Sequence, residues 1–262
     1  MNWEEHYGKN NQDELEDSQY KKRNPAYKVL AGMVLLAFII FSFPQIILLV
    51  NGSLDFLKNR ANLQDNAALS RAVAAVVSVE AYADDALNTG SRSGTGFNLS
   101  STGLIITNRH IVENARSIKI EFEEGQVFYP SNINYIENAD LVWIELEAEG
   151  LPYVLAYQGA VPVLAGDIVS VIGNPKGFHK IILQGPLVGH YNARDIPVML
   201  LDIDCQPGNS GSPVLSSEGE VLGVVYAVTS GSEDHNSSNQ TLAYPMDYFR
   251  EYLPLPGSRE FN

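Results

Sequence analysis

The sequence has only one cysteine, Cys205, among 262 residues. A disulfide within the chain needs two thiols and a cysteine-rich zinc site needs several, so both are excluded. The fold must be held together by an apolar core, for which a hydrophobic content of 45% is ample. We expect neither a metal ion nor another cofactor.

Positive charge is also scarce. Seventeen Lys and Arg residues stand against 31 Asp and Glu residues, and the formal net charge is -14. Nucleic acids and anionic membrane surfaces attract basic patches, so this balance argues against nucleic-acid binding and against a broad membrane-surface patch. The sequence also has no internal repeat and no long low-complexity tract.

Long apolar runs are absent with one exception, residues 29–50, which read VLAGMVLLAFIIFSFPQIILLV. A helix of about 20 apolar residues spans a bilayer, and a proline such as Pro44 is tolerated there. A buried helix of this length in a soluble protein would show a polar face. A cleaved signal peptide has an apolar region of about 7–15 residues followed closely by a small-residue cleavage site. We therefore predict an uncleaved transmembrane helix.

The basic residues that flank this run predict its orientation. Lys21, Lys22, Arg23 and Lys28 precede it, and such clusters stay on the cytoplasmic side. We therefore predict a single-pass protein of the cell membrane with a cytoplasmic N-terminus. The expected parts are a cytoplasmic tail at 1–28, the membrane helix at 29–50, a linker or stalk at 51–73, an extracytoplasmic domain at 74–254 and a C-terminal tail at 255–262.

The domain after the stalk has the pattern of an all-β protein. Short β-branched runs such as AAVVSVEA, SIKIEFE and VLGVVYAVT alternate with Gly, Pro, Asn and Ser at close spacing. This pattern is typical of antiparallel barrels or sandwiches and not of βαβ units. One helix is predicted near the end, at MDYFREYL, residues 246–253.

The stretch DCQPGNSGSPV places Ser210 between Gly208 and Gly211. Glycine allows backbone conformations that are closed to other residues and lets another molecule approach the main chain. A nucleophilic serine beside an oxyanion hole needs such a backbone. An ordinary tight turn needs the same residues, so the motif alone leaves both interpretations open.

A serine nucleophile needs a histidine as its base. Among the five histidines, His110 ends the apolar run GLIITNRH, where a rigid strand can hold its side chain towards a cleft. His6 lies in the predicted cytoplasmic tail and His235 in a polar loop. His179 and His190 lie at predicted strand ends and are typical of turn or surface positions.

The base in turn needs an orienting carboxylate. Asp140 opens the otherwise apolar segment NADLVWIEL. It fits that role, and it fits equally the common role of an aspartate that caps a strand or a turn. Spacing alone does not decide between the two.

Five segments, in order from about residue 73 to 253, resemble those of HtrA/Deg-type serine proteases of the chymotrypsin-like class. GTGFNLSSTGLIITNRHIV resembles the segment around the catalytic histidine, and NADLVWIEL the segment of the catalytic aspartate. PGNSGSPVLSSEGEVLGVVYA resembles the nucleophile segment. GDIVSVIGNPKG and TLAYPMDYF resemble two further stretches typical of the family.

The resemblance implies two six-stranded antiparallel β-barrels with the active site in the crevice between them. His110 and Asp140 would come from the first barrel and Ser210 from the second, with the backbone N–H groups of Gly208 and Ser210 as the oxyanion hole. The implied function is a membrane-anchored serine endopeptidase that cuts extracytoplasmic proteins through an acyl-enzyme. Relatives are often trimers, but no residue of this sequence decides the oligomeric state.

The sequence departs from the family at two points. HtrA-type proteases usually carry C-terminal PDZ domains, and none is expected here. The common GNSGGP is GNSGSP in this chain, a form shared with glutamyl endopeptidases. Those relatives read an acidic substrate with a histidine on the next strand, LGVVYAV here, which has none.

The specificity pocket is less clear from sequence. Asp204 lies six residues before Ser210, where trypsin-like relatives place the base of the pocket that holds the substrate side chain before the cut, the S1 pocket. It could select Arg or Lys, or it could point elsewhere. Tyr226 and Val228 on the following strand are further candidates for the pocket wall.

Two other functions compete with the endopeptidase. One is a catalytically silent chymotrypsin-like module that binds peptides or scaffolds a complex. The other, a purely structural membrane protein, would leave the set of His110, Asp140 and Ser210 unexplained.

Overall fold

A computed structural model describes Val34 and residues 67–83, 90–159, 163–174, 180–193, 195–229 and 239–255. Within these stretches, no helix is both long enough and apolar enough to cross a bilayer. The predicted transmembrane helix at 29–50 lies outside the described residues except for Val34. The predicted N-terminal tail and most of the predicted stalk also lie outside them.

The first half of the described domain is a seven-stranded antiparallel sheet. Its strands lie in the spatial order β5-β4-β1-β2-β3-β7-β6. Their bounds are β1 Val76–Tyr82, β2 Ser91–Asn98, β3 Leu104–Thr107, β4 Ser117–Glu121, β5 Val127–Phe128, β6 Asn134–Tyr135 and β7 Val142–Glu145. A helix of one turn, α2 (Arg109–Val112), follows β3 directly.

The second half is a closed six-stranded barrel in the order β10-β13-β12-β11-β8-β9. Its strands are β8 Ile168–Gly173, β9 Ile181–Ala193, β10 Ile196–Leu201, β11 Pro213–Leu215, β12 Val221–Thr229 and β13 Gln240–Pro245. The chain then ends its described part in α3 (Met246–Phe249) and a 3-10 helix (Arg250–Tyr252). The predicted all-β class and the predicted final helix are both present.

One detail of the predicted fold differs. Six strands were expected in the first barrel, whereas the described residues form seven strands in a sheet that β5 and β6 terminate as edges. Each of these edge strands has only two residues, and β6 is the polar pair Asn134–Tyr135. A two-residue polar strand has no alternating pattern, so the sequence gives no sign of it.

A shared core packs the two halves together. Apolar side chains from both sheets, among them Phe97 and Leu215, form one buried cluster with Phe249 of α3. Leu69 and Ala72 from the helix α1 (Ala67–Ala75) belong to the same cluster. The core of the domain therefore includes residues of the predicted stalk. Two smaller clusters fill the interior of the first sheet and of the barrel.

Candidate active site

His110 and Asp140 meet because β3 and β7 run antiparallel, with Thr107 opposite Val142. This register brings the residues that follow β3 beside those that precede β7. His110 Nδ1 lies 2.5 Å from Asp140 Oδ2, and the His110 backbone N–H donates to Oδ1 at 2.8 Å. One carboxylate therefore orients both the ring and the main chain of the histidine.

The helix α2, which carries His110, is held from both sides. The Asp140 carbonyl accepts the side-chain N–H of Asn108 at 2.8 Å and the backbone N–H of Arg109 at 3.2 Å. On the other side, the Arg92 guanidinium donates to the His110 carbonyl at 2.9 Å and to the Glu113 carbonyl. The two bonds from Arg92 satisfy carbonyls that a one-turn helix leaves without partners inside the helix.

Asp140 also receives a contact from the closed barrel. Its backbone N–H donates to the Tyr244 hydroxyl at 3.3 Å. Tyr244 lies on β13 and stacks on Tyr226 with 4.1 Å between ring centroids. Burial raises the pKa of the Tyr244 hydroxyl, so it is neutral near pH 7. The position of Asp140 thus depends on both halves of the domain.

Ser210 lies in the loop between β10 and β11. Two glycines in this loop, Gly208 and Gly211, have φ angles of 103° and 82°, which L side chains rarely adopt. A Cβ on Gly211 would lie 2.0 Å from the carbonyl oxygen of Thr95 on β2. The Ser210 carbonyl accepts the Thr95 backbone N–H at 2.9 Å. The loop therefore rests directly on β2.

The same strand connects Ser210 to the histidine helix. A Cβ on Gly94 would lie 2.3 Å from Ile111 Cδ1 and 3.1 Å from the Ser210 carbonyl oxygen. Ile111 is the neighbour of His110 in α2. The Ser210 loop and the helix that carries His110 therefore lie against the same residue of β2.

The backbone N–H groups of the Ser210 loop differ in whether they have an acceptor. In residues 202–212, all of which the structure describes, the N–H groups of Asn209 and Gly211 each donate to a backbone carbonyl. Those of Gly208 and Ser210 donate to no acceptor in the described part of the chain. These are the two groups that the sequence predicted as an oxyanion hole.

A cavity of about 440 Å³ opens beside Ser210. Apolar side chains supply much of its wall, and Gln206, Thr229 and Asn239 add polar groups. The lining residues are Cys205, Gln206, Pro207, Asn209, Ser210, Val225, Ala227, Val228, Thr229 and Asn239.

The three residues predicted for the S1 pocket have different positions. Val228 lines the cavity. Asp204 does not, and its Oδ1 accepts the side-chain N–H of Asn239 at 3.1 Å. Tyr226 is also absent from the lining and stacks on Tyr244.

Cys205 is buried at the cavity wall, with 3% of its surface exposed. Burial raises the pKa of its thiol to about 11. The thiol is therefore neutral at physiological pH and a poor nucleophile.

Of the four remaining histidines, the structure describes one. His190 lies exposed on β9, while His6, His179 and His235 lie outside the described residues. Within the part of the chain that the structure describes, no group of three His, Cys, Asp or Glu side chains could hold a metal ion.

Sequence reasoning missed two residues that contact the site, Thr95 and Tyr244. Both lie inside segments that carry the HtrA resemblance, GTGFNLS and TLAYPM. The two glycines around Thr95 were a usable signal, because they mark a strand that another backbone approaches closely.

Comparison with known proteins agrees with this geometry. The model of the trypsin-like peptidase domain family matches residues 94–224, half of the chain. A probable periplasmic serine endoprotease, DegP-like, of Chlamydia pneumoniae is 33% identical over 144 residues, which is 53% of this chain and 29% of that protein. Serine protease HTRA1 of Xenopus tropicalis is 30% identical over 178 residues, 64% of this chain and 37% of that protein.

Solved structures show the same fold. The serine endoprotease of Yersinia pestis superposes with a TM-score of 0.58 at 25% identity, over 69% of this chain and 61% of that one. The Rv3671c protease of M. tuberculosis in its active form gives a TM-score of 0.63 at 19% identity, over 76% and 87% of the two chains. The present chain spans less than half the length of either sequence relative. It belongs to the trypsin-like peptidase domain family, and its domain is of the HtrA-like serine protease type.

Proposed function

We propose that this protein is a serine endopeptidase that hydrolyses peptide bonds through Ser210, His110 and Asp140. The observation that carries the proposal is that the Ser210 loop and Ile111, the neighbour of His110, both lie against Gly94, while Asp140 holds the His110 ring. A strand cap or a tight turn would explain Asp140 or Ser210 singly. Neither would explain why the Ser210 loop lies against the same buried glycine as the helix whose histidine Asp140 holds.

In the proposed reaction, Ser210 Oγ attacks the carbonyl carbon of the scissile bond while His110 Nε2 takes its proton. Asp140 holds Nδ1–H, which fixes the tautomer that leaves Nε2 free to accept, and stabilises the imidazolium that forms. The N–H groups of Gly208 and Ser210 donate to the negative oxygen of the tetrahedral intermediate.

Collapse of that intermediate breaks the C–N bond, and His110 gives its proton to the leaving amine. The acyl-enzyme ester on Ser210 then reacts with a water molecule that His110 activates in the same way. Each half-reaction ends with the imidazole neutral again, so the cycle needs no external acid, base or cofactor.

The cavity beside Ser210 is the proposed site for the substrate side chain that precedes the cut. Val225, Ala227 and Val228 give it apolar walls. Asp204 does not line the cavity, and its Oδ1 accepts an N–H from Asn239, which does. We therefore expect a preference for aliphatic over basic residues at this position.

We also propose that the domain acts on the outer face of a membrane to which residues 29–50 anchor it. The support is the uncharged apolar run and the lysines and arginines that precede it. The name of the Chlamydia relative describes a periplasmic enzyme, which is in keeping with this placement.

The test is the full-length protein against its Ser210→Ala variant. We expect the wild type to cleave unfolded protein substrates and to be labelled by a fluorophosphonate, and Ser210→Ala to lose both, with a turnover loss on the order of 10⁶. Ser217→Ala, which changes an exposed serine just after β11, is the matched control and should behave as wild type. A wild type that binds peptides but is neither labelled nor active would favour the silent binding module.

A further inference from the structure

Thr95 is a fully buried threonine whose polar groups are all used at the interface of the two halves. Its hydroxyl donates to the Gly208 carbonyl at 2.7 Å and accepts the Asn174 N–H at 3.0 Å. Its backbone N–H donates to the Ser210 carbonyl at 2.9 Å, and its carbonyl accepts the Thr107 hydroxyl at 2.7 Å.

Two of these bonds hold the carbonyls of Gly208 and Ser210, whose N–H groups form the proposed oxyanion hole. In each residue, the N–H and the carbonyl are joined through a single φ/ψ pair, so anchoring the carbonyl restricts where the N–H can point. The restriction matters most at Gly208. Glycine can adopt more backbone conformations than any other residue. Gly208 has a φ of 103°, which residues with a side chain rarely adopt, so its own covalent structure does not fix this conformation.

The hydroxyl of Thr95 is not required to build its strand. Thr95 already pairs with Ser78 through the backbone register of β1 and β2. The side chain instead joins β2 to the loop after β8 through Asn174 and to the nucleophile loop through Gly208. Its role is therefore at the site and not in the sheet.

We propose that Thr95 is a positioning residue. Its hydroxyl holds the Gly208 carbonyl and thereby the backbone conformation of Gly208, so that the oxyanion hole is formed before substrate binds. This rests on the proposed endopeptidase function. Thr95 touches no reacting atom in this scheme. It acts through Gly208. In this way a residue of the first sheet would position the oxyanion hole, which is formed by a loop of the barrel.

The test compares Thr95→Val, Thr95→Ala and Thr95→Ser in the full-length protein. Valine keeps the shape of threonine and removes the hydroxyl, alanine avoids any misfit of the second methyl group, and serine keeps the hydroxyl. Loss of one oxyanion-hole donor costs about 10²–10³ in kcat. We expect Thr95→Val and Thr95→Ala to lose kcat on that scale with KM within about threefold, and Thr95→Ser to recover most of it.

A peptide boronic acid separates positioning from general damage, because its tetrahedral adduct with the serine mimics the intermediate. Its affinity should fall in step with kcat in the valine and alanine variants, while a non-cleavable peptide of the same sequence should bind them as it binds wild type. Thr241→Val is the matched control. It removes an equally buried hydroxyl that donates to the Ile203 carbonyl of the same loop, and it should lose stability without this selective loss of boronate affinity.

A second measurement does not depend on turnover. In protein labelled with ¹⁵N-glycine, the Gly208 amide signal should move in Thr95→Val and stay near its wild-type position in Thr95→Ser. Full kcat and an unmoved Gly208 signal in Thr95→Val would overturn the role of Thr95 and leave the endopeptidase intact. A wild type with no turnover and no serine labelling would overturn the endopeptidase itself, and the Gly208 signal would still decide whether Thr95 holds the loop.

Discussion

The two halves of the domain contribute to the site by different means. The first, an open sheet, provides His110, which would move the proton, and Asp140, which would orient that histidine; their side chains are 49% and 28% exposed. The second, a closed barrel, provides a loop of backbone in which two glycines have positive φ. The proposed base and its orienting acid come from the half with free edges, and the proposed nucleophile with its backbone donors comes from the half without them.

The difference has a physical reason. A histidine must change protonation state during turnover, so it needs contact with water and with one well-placed partner. An oxyanion hole must not move at all, because its contribution comes from donors that need no reorganisation. A closed barrel resists deformation, and β2 reaches across from the first sheet to brace the loop at Gly94 and Thr95.

The largest effect should come from removing the proposed base, which lies in the first half, or the proposed nucleophile, which lies in the second. His110→Ala should lower kcat on the order of 10⁶, as for Ser210→Ala, because the base and the nucleophile act as one unit. The double variant should be no worse than either single variant. Hydrolysis rates for the three proteins, measured with folding checked by circular dichroism, test this. Losses that multiply would mean that the two halves contribute independently.

The next effect concerns the first sheet alone. Asp140→Asn should lower kcat by about 10⁴, because an amide stabilises the wrong imidazole tautomer while keeping its shape. The exposed acid Asp247 in α3 gives the matched control, and Asp247→Asn should leave kcat unchanged. Equal losses in the two variants would show that general charge, and not the bond to His110, is responsible.

Sequence patterns predict those features of this protein that depend on short, contiguous segments. The all-β class follows from short β-branched runs between turn residues, whereas the grouping of His110, Asp140 and Ser210 is predicted only from the resemblance of their segments to HtrA-type proteases. The pairing of Asp204 with Asn239 could not be predicted, because it joins two side chains far apart in the chain. The contact between Tyr244 and Asp140 escaped for the same reason.

Cys205 provides a test of whether the interior of the barrel excludes water. Burial raises the pKa of its thiol from the ordinary 9.0 to about 11, so the folded state favours the neutral thiol. That stabilisation is complete below about pH 9 and is lost as the pH rises towards 11. The free energy of unfolding of the wild type should therefore fall relative to Cys205→Ser by about 2 kcal/mol between pH 8 and pH 10.5.

Urea unfolding of both proteins at the two pH values measures this difference. Lys180, whose pKa burial lowers, and Tyr226, whose pKa burial raises to about 12, are present in both proteins and cancel in the comparison. A difference that does not change with pH would mean that the thiol is solvated. Rapid reaction of folded wild type with a thiol reagent at pH 8 would lead to the same conclusion.

The smallest effect should come from the hydrogen bond between the barrel side chain Tyr244 and the backbone N–H of Asp140. Tyr244→Phe removes the hydroxyl that accepts the Asp140 N–H and keeps the ring that stacks on Tyr226. A single hydrogen bond contributes about 1 kcal/mol, so kcat/KM should fall about fivefold. Tyr248→Phe, on the next ring of the same stack, is the control and should leave kcat/KM unchanged. An equal loss in both variants would assign the effect to packing of the rings, and no loss in Tyr244→Phe would mean that the sheet positions its aspartate without help from the barrel.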